Sequence, residues 1–260
     1  LEIFTQRLKR LANADGLLIF IPTFEIPPIT KKANKMPKTI FLVASGFSAL
    51  GKGSAISSLG FLLKMRGLSV ALCKQDGYLN TSASCLRPLE HGETYICDDS
   101  AEVDLDIGHY FRISGTEVGR KNIMTAGSLY KELISEEESG KYLGKTLQVV
   151  PDLTDKITER LKIAGEGHDV LLVEVGGVIR DLENQLYLEN VREWKQRNFD
   201  DTLIILLSPL LWVPTISEWK TKLVQTGVKD LQSYGLQPDI ILCRIPAEPE
   251  LPKEVLHKIA

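Results

Sequence analysis

The feature that most restricts this chain is a single stretch beginning at Thr39. Thr39-Ile-Phe-Leu-Val-Ala44 is a continuous apolar run that reads as a buried strand. A Gly/Ser-rich loop follows at once, then a helical stretch from about residue 53 to residue 66. Gly67 stops that helix, and residues 69–74 read as a second buried strand. Strand, helix and strand within roughly 35 residues form a βαβ unit, because parallel strands need a crossover rather than a tight turn. Later segments repeat the theme. Helices are expected over 153–164, 184–197 and 224–234, and strands over 169–175, 201–207 and 239–244. The fold class that follows is α/β: a doubly wound, mostly parallel sheet with helices on both faces. A 43% hydrophobic content is enough to fill the core such a sheet needs.

Residues 1–37 read differently, as an N-terminal arm. Residues 1–14 suit a short basic amphipathic helix, and Pro22, Pro27, Pro28 and Pro37 then break regular structure. The domain proper is expected over 38–260. The apolar stretch 17–22 is far too short to cross a bilayer, and no secretory signal pattern opens the chain. A net charge of −3 gives no general attraction to nucleic acid or acidic membranes, so anionic ligands would need local Lys and Arg clusters. Cys73, Cys85, Cys97 and Cys243 are scattered without zinc or CxxC spacing, which suits free thiols in a reducing cytoplasm. Glu136-Glu-Glu, the one notable charge cluster, is expected in a solvated turn.

Ligands of open α/β sheets bind at the carboxyl ends of the strands. That rule selects the loop Gly46–Ser54 after the first strand, Lys74 and Asp76 at the end of the second, Glu174, and Arg244 at the end of the last. Gly46-Phe-Ser-Ala-Leu-Gly-Lys-Gly-Ser54 satisfies most of the phosphate-loop pattern G-x-x-x-x-G-K-[ST], with one glycine inserted before Ser54. Gly51, Gly53 and Ser54 would offer backbone N–H groups at a helix N-terminus, and Lys52 would reach the terminal phosphates. Asp106 offers a carboxylate for Mg²⁺, or simply belongs to a polar loop or edge strand. Glu174 lies within an apolar strand before two glycines, where an unpaired carboxylate is costly; it serves a metal or phosphate site or a structural ion pair. Lys220, Lys222 and Gln225 form either an anion-binding cluster or a solvated basic patch. His91 and His109 have no partner at zinc spacing, which favours structural hydrogen bonding, and no Ser-His-Asp set can be assigned.

Several strings, taken in order over residues 38–260, resemble the synthetase domain of the CTP synthase family. They include Ser48-Ala-Leu-Gly-Lys-Gly53, Lys74-Gln-Asp76, His91-Gly-Glu93 and Ala101-Glu-Val-Asp-Leu-Asp-Ile-Gly-His-Tyr110. Tyr142-Leu-Gly144, Gln148-Val-Val-Pro151, Val173-Glu-Val-Gly-Gly177, Lys220-Thr-Lys222 and Gln237-Pro-Asp-Ile-Ile-Leu-Cys-Arg244 continue the series. The resemblance implies a P-loop NTPase-like fold of the dethiobiotin synthetase type. It also implies ATP-dependent phosphorylation of the 4-oxygen of UTP and displacement of that phosphate by ammonia to give CTP. By resemblance Lys52 grips ATP phosphates, Lys74 stabilises the transferring phosphoryl group, Asp106 and Glu174 hold Mg²⁺, and Arg244 lies near adenine. Ser48, Asp181 and Glu183 match positions lining the pyrimidine nucleotide, and Lys220, Lys222, Gln225 and Lys258 match its phosphate site. In the family that site is built across a subunit contact of a tetramer, so a homo-oligomer is implied.

The chain departs from the family at the pyrimidine half. Asp76-Gly-Tyr78 replaces Asp-Pro-Tyr, Ser82-Ala-Ser-Cys-Leu-Arg-Pro88 replaces Asp-Pro-Gly-Thr-Met-Ser-Pro, and Val178 replaces a threonine. Arg180 replaces a glycine and is expected either to narrow the nucleotide site or to add a phosphate contact. The family also carries a glutaminase with a Gly-x-Cys-x-Gly nucleophile. None of the four cysteines has that context, so glutamine hydrolysis is not expected of these residues, and the chain is a fragment or ammonia comes from elsewhere. Two readings stand side by side: an active UTP-aminating ligase, and a divergent nucleotide-binding relative that works through assembly. Another P-loop ligase of the dethiobiotin synthetase type is a third, against which Lys220-Thr-Lys222 and the acidic string argue.

Overall fold

The structure is a computed structural model, in which residues 17–20 and 36–259 are described. The helix expected over 1–14, and Pro22, Pro27 and Pro28, lie outside those residues. Strand β1 (Leu17–Phe20) precedes β2 (Lys38–Ala44), helix α1 (Lys52–Lys64) and β3 (Val70–Asp76), which together give the expected βαβ unit. Gly51 caps α1 with φ near +86°, a left-handed conformation that glycine adopts without a Cβ clash, and this geometry turns the loop into the helix. A short helix α2 (Pro88–His91) leads to a small antiparallel pair, β4 (Tyr95–Ile96) and β5 (Glu102–Val103).

The segment after β5 turns helical, unlike the loop or edge strand that its alternation suggested. Helix α3 (Leu105–Ser114) starts there because the Asp104 carboxylate accepts from the N–H groups of Asp106 at 3.1 Å and Ile107 at 3.3 Å. Such a cap satisfies donors that the first turn leaves open. Strand β6 (Ile123–Thr125) runs into α4 (Ala126–Glu138), capped by Thr125 Oγ1 accepting from Ser128 N at 3.0 Å. Glu136 belongs to this helix rather than to a solvated turn, and accepts from Lys141, Tyr142 and Lys156.

The rest alternates. Helix α5 (Thr154–Gly165) is followed by β7 (Val170–Val175), α6 (Gln185–Arg197) and β8 (Thr202–Pro209). A small antiparallel pair, β9 (Leu211–Val213) and β10 (Glu218–Lys220), introduces α7 (Lys222–Ser233), β11 (Ile240–Arg244) and α8 (Lys253–His257). The main sheet has seven strands in the order β1-β11-β8-β2-β7-β3-β6. All neighbours run parallel except β1, which pairs antiparallel with β11.

Side-chain alternation splits the core between the two faces of the sheet. On one face Leu42, Leu72 and Leu172 meet Ile56 and Leu63 of α1 and Ile107 and Tyr110 of α3. On the other, Phe41, Cys73 and Val173 meet Leu129 of α4, Ile157 and Leu161 of α5, and Tyr187 and Trp194 of α6. Each large side chain fully buried in this way contributes about 1.5–3 kcal/mol. Parallel register then sets the site. Lys74 lies beside Glu174, two residues beyond the Leu72–Leu172 pair, so both side chains emerge on the α1 face at the strands' carboxyl ends. Among the described residues no helix is long and apolar enough to cross a membrane.

Candidate active site at the carboxyl edge of the sheet

Three carboxylates surround the Lys74 ammonium. Its Nζ lies 2.5 Å from Asp104 Oδ2, 2.5 Å from Asp106 Oδ2 and 3.0 Å from Asp76 Oδ2. Each of the three comes from a different local device: Asp76 ends β3, Asp104 caps α3, and Asp106 lies in that helix's first turn. Burial works against a charge on Lys74, but Asp76, Asp104, Glu174 and Asp106 outweigh it and raise its pKa well above the ordinary lysine value. Asp104 is raised, because its own burial exceeds the pull of Lys74. Asp106 is lowered: burial is its largest influence, but the charge and hydrogen bond of Lys74 together outweigh it.

Glu174 is fully buried, and burial pushes its pKa up to about 7 against the charge of Lys74. Tyr110, also fully buried, donates to Glu174 Oε2 at 2.5 Å. Lys52, the first residue of α1, donates to the carbonyl of Gly177 at 2.5 Å. Burial lowers the Lys52 pKa, and the charge of Glu174 opposes the shift.

Gly53 shows why this edge is open. A Cβ built on it would lie 3.1 Å from Asp106 Oδ1 and 3.7 Å from Glu174 Oε2, so both carboxylates flank the first turn of α1. Mg²⁺ takes one or two carboxylates and completes its shell with phosphate oxygens and water, and this pair fits that demand. Among the described residues no three His, Cys, Asp or Glu side chains form a complete metal set, so other oxygens would have to finish one. His109 Nδ1 lies 3.9 Å from Asp106 Oδ1, and the His91 ring packs edge-on against Tyr78 with centroids 5.6 Å apart. Arg244 overhangs the phosphate loop: a Cβ on Gly51 would sit 3.5 Å from its Nη1. Ser48 and Ser54 are exposed along the same loop.

The expected pyrimidine-site residues fall into two groups. Asp181 closes the β7–α6 loop on itself, its Oδ2 accepting from Val178 N at 2.7 Å. Asn184 holds the same loop by donating to the carbonyls of Gly176 at 2.6 Å and Val178 at 3.1 Å. Exposed Glu183 borders Gly77, where any Cβ would lie 2.6 Å from the Cβ of Glu183. Arg180 is engaged outside the loop, donating from Nε and Nη2 to both oxygens of Asp230 on α7, at 2.8 Å and 2.7 Å. The second group gathers near the start of α7. Gln225 Nε2 donates to the Lys258 carbonyl at 3.0 Å, Lys222 opens the helix, and Lys220 pairs with Glu218 at 2.7 Å. Among the described residues no hydrogen bond or ion pair joins Lys220, Lys222, Gln225 or Lys258 to Lys52, Lys74 or Glu174.

Asp104, Tyr110, Gly177 and Asn184 belong to the site but were not singled out from the sequence. The signal for Asp104 was present, since an Asp just before a stretch with apolar residues three and six positions on is a helix-start pattern.

Residues 38–260 match the family model described as CTP synthase N-terminus. Over 224 residues the chain is 42% identical to the CTP synthase of Hydrogenobaculum sp. (strain Y04AAS1), covering 86% of this chain and 42% of that protein. It is likewise 42% identical to the CTP synthase of Koribacter versatilis (strain Ellin345), covering 86% and 40%. The chain therefore spans about two fifths of the length of these relatives. Among solved structures, the signal recognition particle receptor FtsY from Elizabethkingia anophelis in complex with GDP aligns at 13% identity with a TM-score of 0.40, covering 79% of this chain and 48% of that one. With the family model matched from Lys38 onward and two relatives each identical at 42% of aligned positions, this chain belongs to the CTP synthase N-terminal family.

Proposed function

We propose that this chain aminates UTP to CTP at the expense of ATP. The observation that carries the reading is the Lys74 ammonium, buried among Asp76, Asp104 and Asp106 beside Glu174 and below the first turn of α1. The γ-phosphoryl group of ATP passes to the uracil 4-oxygen, leaving ADP. The ammonia lone pair then attacks C4, the C4–O bond breaks with its electrons on phosphate, and a proton is lost as CTP forms. Phosphoryl transfer is mainly positioning and charge neutralisation, so cations are what the protein must supply. Lys52 leaves the Gly177 carbonyl for the terminal phosphates, and Gly51, Gly53 and Ser54 offer the N–H groups of the helix start. Lys74 faces the phosphoryl group in transit. Asp106 and Glu174 would hold Mg²⁺, which neutralises phosphate charge when bound. Arg244 lies on the adenine side. Ser48, Asp181 and Glu183 line the pyrimidine nucleotide. Lys220, Lys222, Gln225 and Lys258 take its phosphates in a homo-oligomer.

The second reading, a divergent nucleotide-binding protein acting through assembly, is favoured by the pyrimidine half, where Asp181 and Arg180 are engaged with the protein itself. One experiment separates the two. The purified chain is supplied with ATP, UTP, Mg²⁺ and either ammonium or glutamine, and CTP is followed by chromatography. CTP with ammonium and none with glutamine supports the ligase. ATP binding that is lost in Lys52→Ala, without any CTP, selects the second reading. ATP affinity unchanged in Lys52→Ala, measured by calorimetry, overturns both. Sedimentation with both nucleotides is expected to exceed the monomer mass.

A further inference from the structure

The β7–α6 loop is tied down residue by residue. The Gly176 carbonyl accepts from Asn184, the Gly177 carbonyl from Lys52, and Val178 N donates to Asp181. Ile179 is buried, and its N–H donates to the Ala44 carbonyl at 2.9 Å. All of these ties run inward, to the phosphate loop, to β2 or to the loop itself. Arg180 alone reaches outward, to Asp230 in the last turn of α7. Asp230 needs that partner. Its side chain is only 13% exposed whereas that of Arg180 is 75% exposed, and among the described residues no other side chain bonds either carboxylate oxygen. Burying a carboxylate without a partner is costly, and a bidentate guanidinium fixes both distance and orientation. The opposite end of α7 carries Lys222 and Gln225. The helix cannot slide freely beneath them, because Gly227 lies so close to Ser45 that a Cβ there would come within 2.2 Å of its Oγ.

We propose that Arg180 is a positioning residue for the pyrimidine-nucleotide subsite. Its guanidinium clamps the β7–α6 loop to α7, and so holds Asp181 and Glu183 in fixed relation to that helix. This rests on the reading that those residues line one nucleotide. It also replaces the expectation that Arg180 narrows the site or touches phosphate, since two of its three nitrogens already face Asp230.

The test uses Arg180→Gly, Asp230→Asn and the exchanged pair Arg180→Asp with Asp230→Arg. Hydrogen exchange of the purified chain, which needs no activity, should show amides 176–183 exchanging at least about tenfold faster in both single variants and recovering in the exchanged pair. Steady-state kinetics should show a UTP KM raised about five- to twentyfold, with ATP KM and kcat within about twofold of the parent. Unchanged exchange overturns the clamp. Faster exchange with an unchanged UTP KM overturns the positioning role. If the parent chain forms no CTP, the proposed reaction fails rather than the clamp, and UTP affinity by calorimetry replaces KM. Affinity unchanged between parent and single variants then overturns the proposal.

Discussion

The phenol of Tyr110 donates a 2.5 Å hydrogen bond to Glu174 Oε2, and both groups are cut off from solvent. Burial alone would hold Glu174 neutral to a high pH. Lys74, Lys52 and the phenol, in that order, act the other way and leave its pKa at about 7. Because this value is above that of an unfolded glutamate, the folded protein binds the extra proton between about pH 4.5 and pH 7. Stability from this group is therefore full below pH 4.5 and is lost as pH rises through 7. Tyr110→Phe removes a donor to the ionised form. With a chelator present, the variant should lose about 1–3 kcal/mol in urea melts at pH 8 and clearly less at pH 5. Equal losses at the two pH values would show that the phenol does not discriminate between the charge states of Glu174.

Among the described residues Lys74 is the one lysine or arginine that pairs with all three of Asp76, Asp104 and Asp106. Lys74→Met keeps much of the side chain's bulk and leaves three crowded carboxylates without their cation. A loss of about 3–5 kcal/mol is expected at pH 7. Adding Asp104→Asn should recover part of it, since the amide oxygen can still cap α3 while one negative charge disappears. Chemical denaturation of the three proteins measures this. A double variant no more stable than Lys74→Met would mean that lost packing, not charge, dominates.

Glu136 supplies the acid-side counterpart. Hydrogen bonds from Lys141, Lys156 and Tyr142 hold its pKa down to about 2. Its stabilisation is present above about pH 4.5 and is lost as pH falls through 2. The group is partly open to solvent, so screening reduces the effect to about 1 kcal/mol. Glu136→Gln should lower stability at pH 7 by that amount and flatten the decline between pH 4.5 and pH 2. Acid titrations of both proteins by circular dichroism provide the comparison, and parallel curves would count against a titrating role.

The phosphate loop was legible in the sequence because all of its parts are contiguous: an apolar strand, spaced glycines, a lysine and a helix. The strand-end rule likewise reached Lys74, Glu174 and Arg244, since the end of a buried strand can be counted along the chain. What escaped was pairing at a distance. Tyr110 and Glu174 are 64 residues apart, and nothing in either string names the other. Asp104 was overlooked because Glu102-Val-Asp-Leu-Asp alternates like a strand, although the chain takes only two residues of strand before Asp104 starts α3. Arg180 was recognised as a departure, but its partner could not be guessed, because Asp230 lies on a helix whose packing depends on the whole sheet.

The margins of the main sheet carry a consequence for how copies of this chain can meet. The central strands β2 and β8 have seven and eight residues, whereas the outermost strands, β1 and β6, have four and three. An unpaired strand edge is a template for adding another chain, and short edges blunt it. Over the described residues neither border is long enough to seed a continuous intermolecular ladder. Over these residues the sheet edges offer little template for ribbon growth in concentrated solution, which leaves helix and loop surfaces as the broader faces of the described domain.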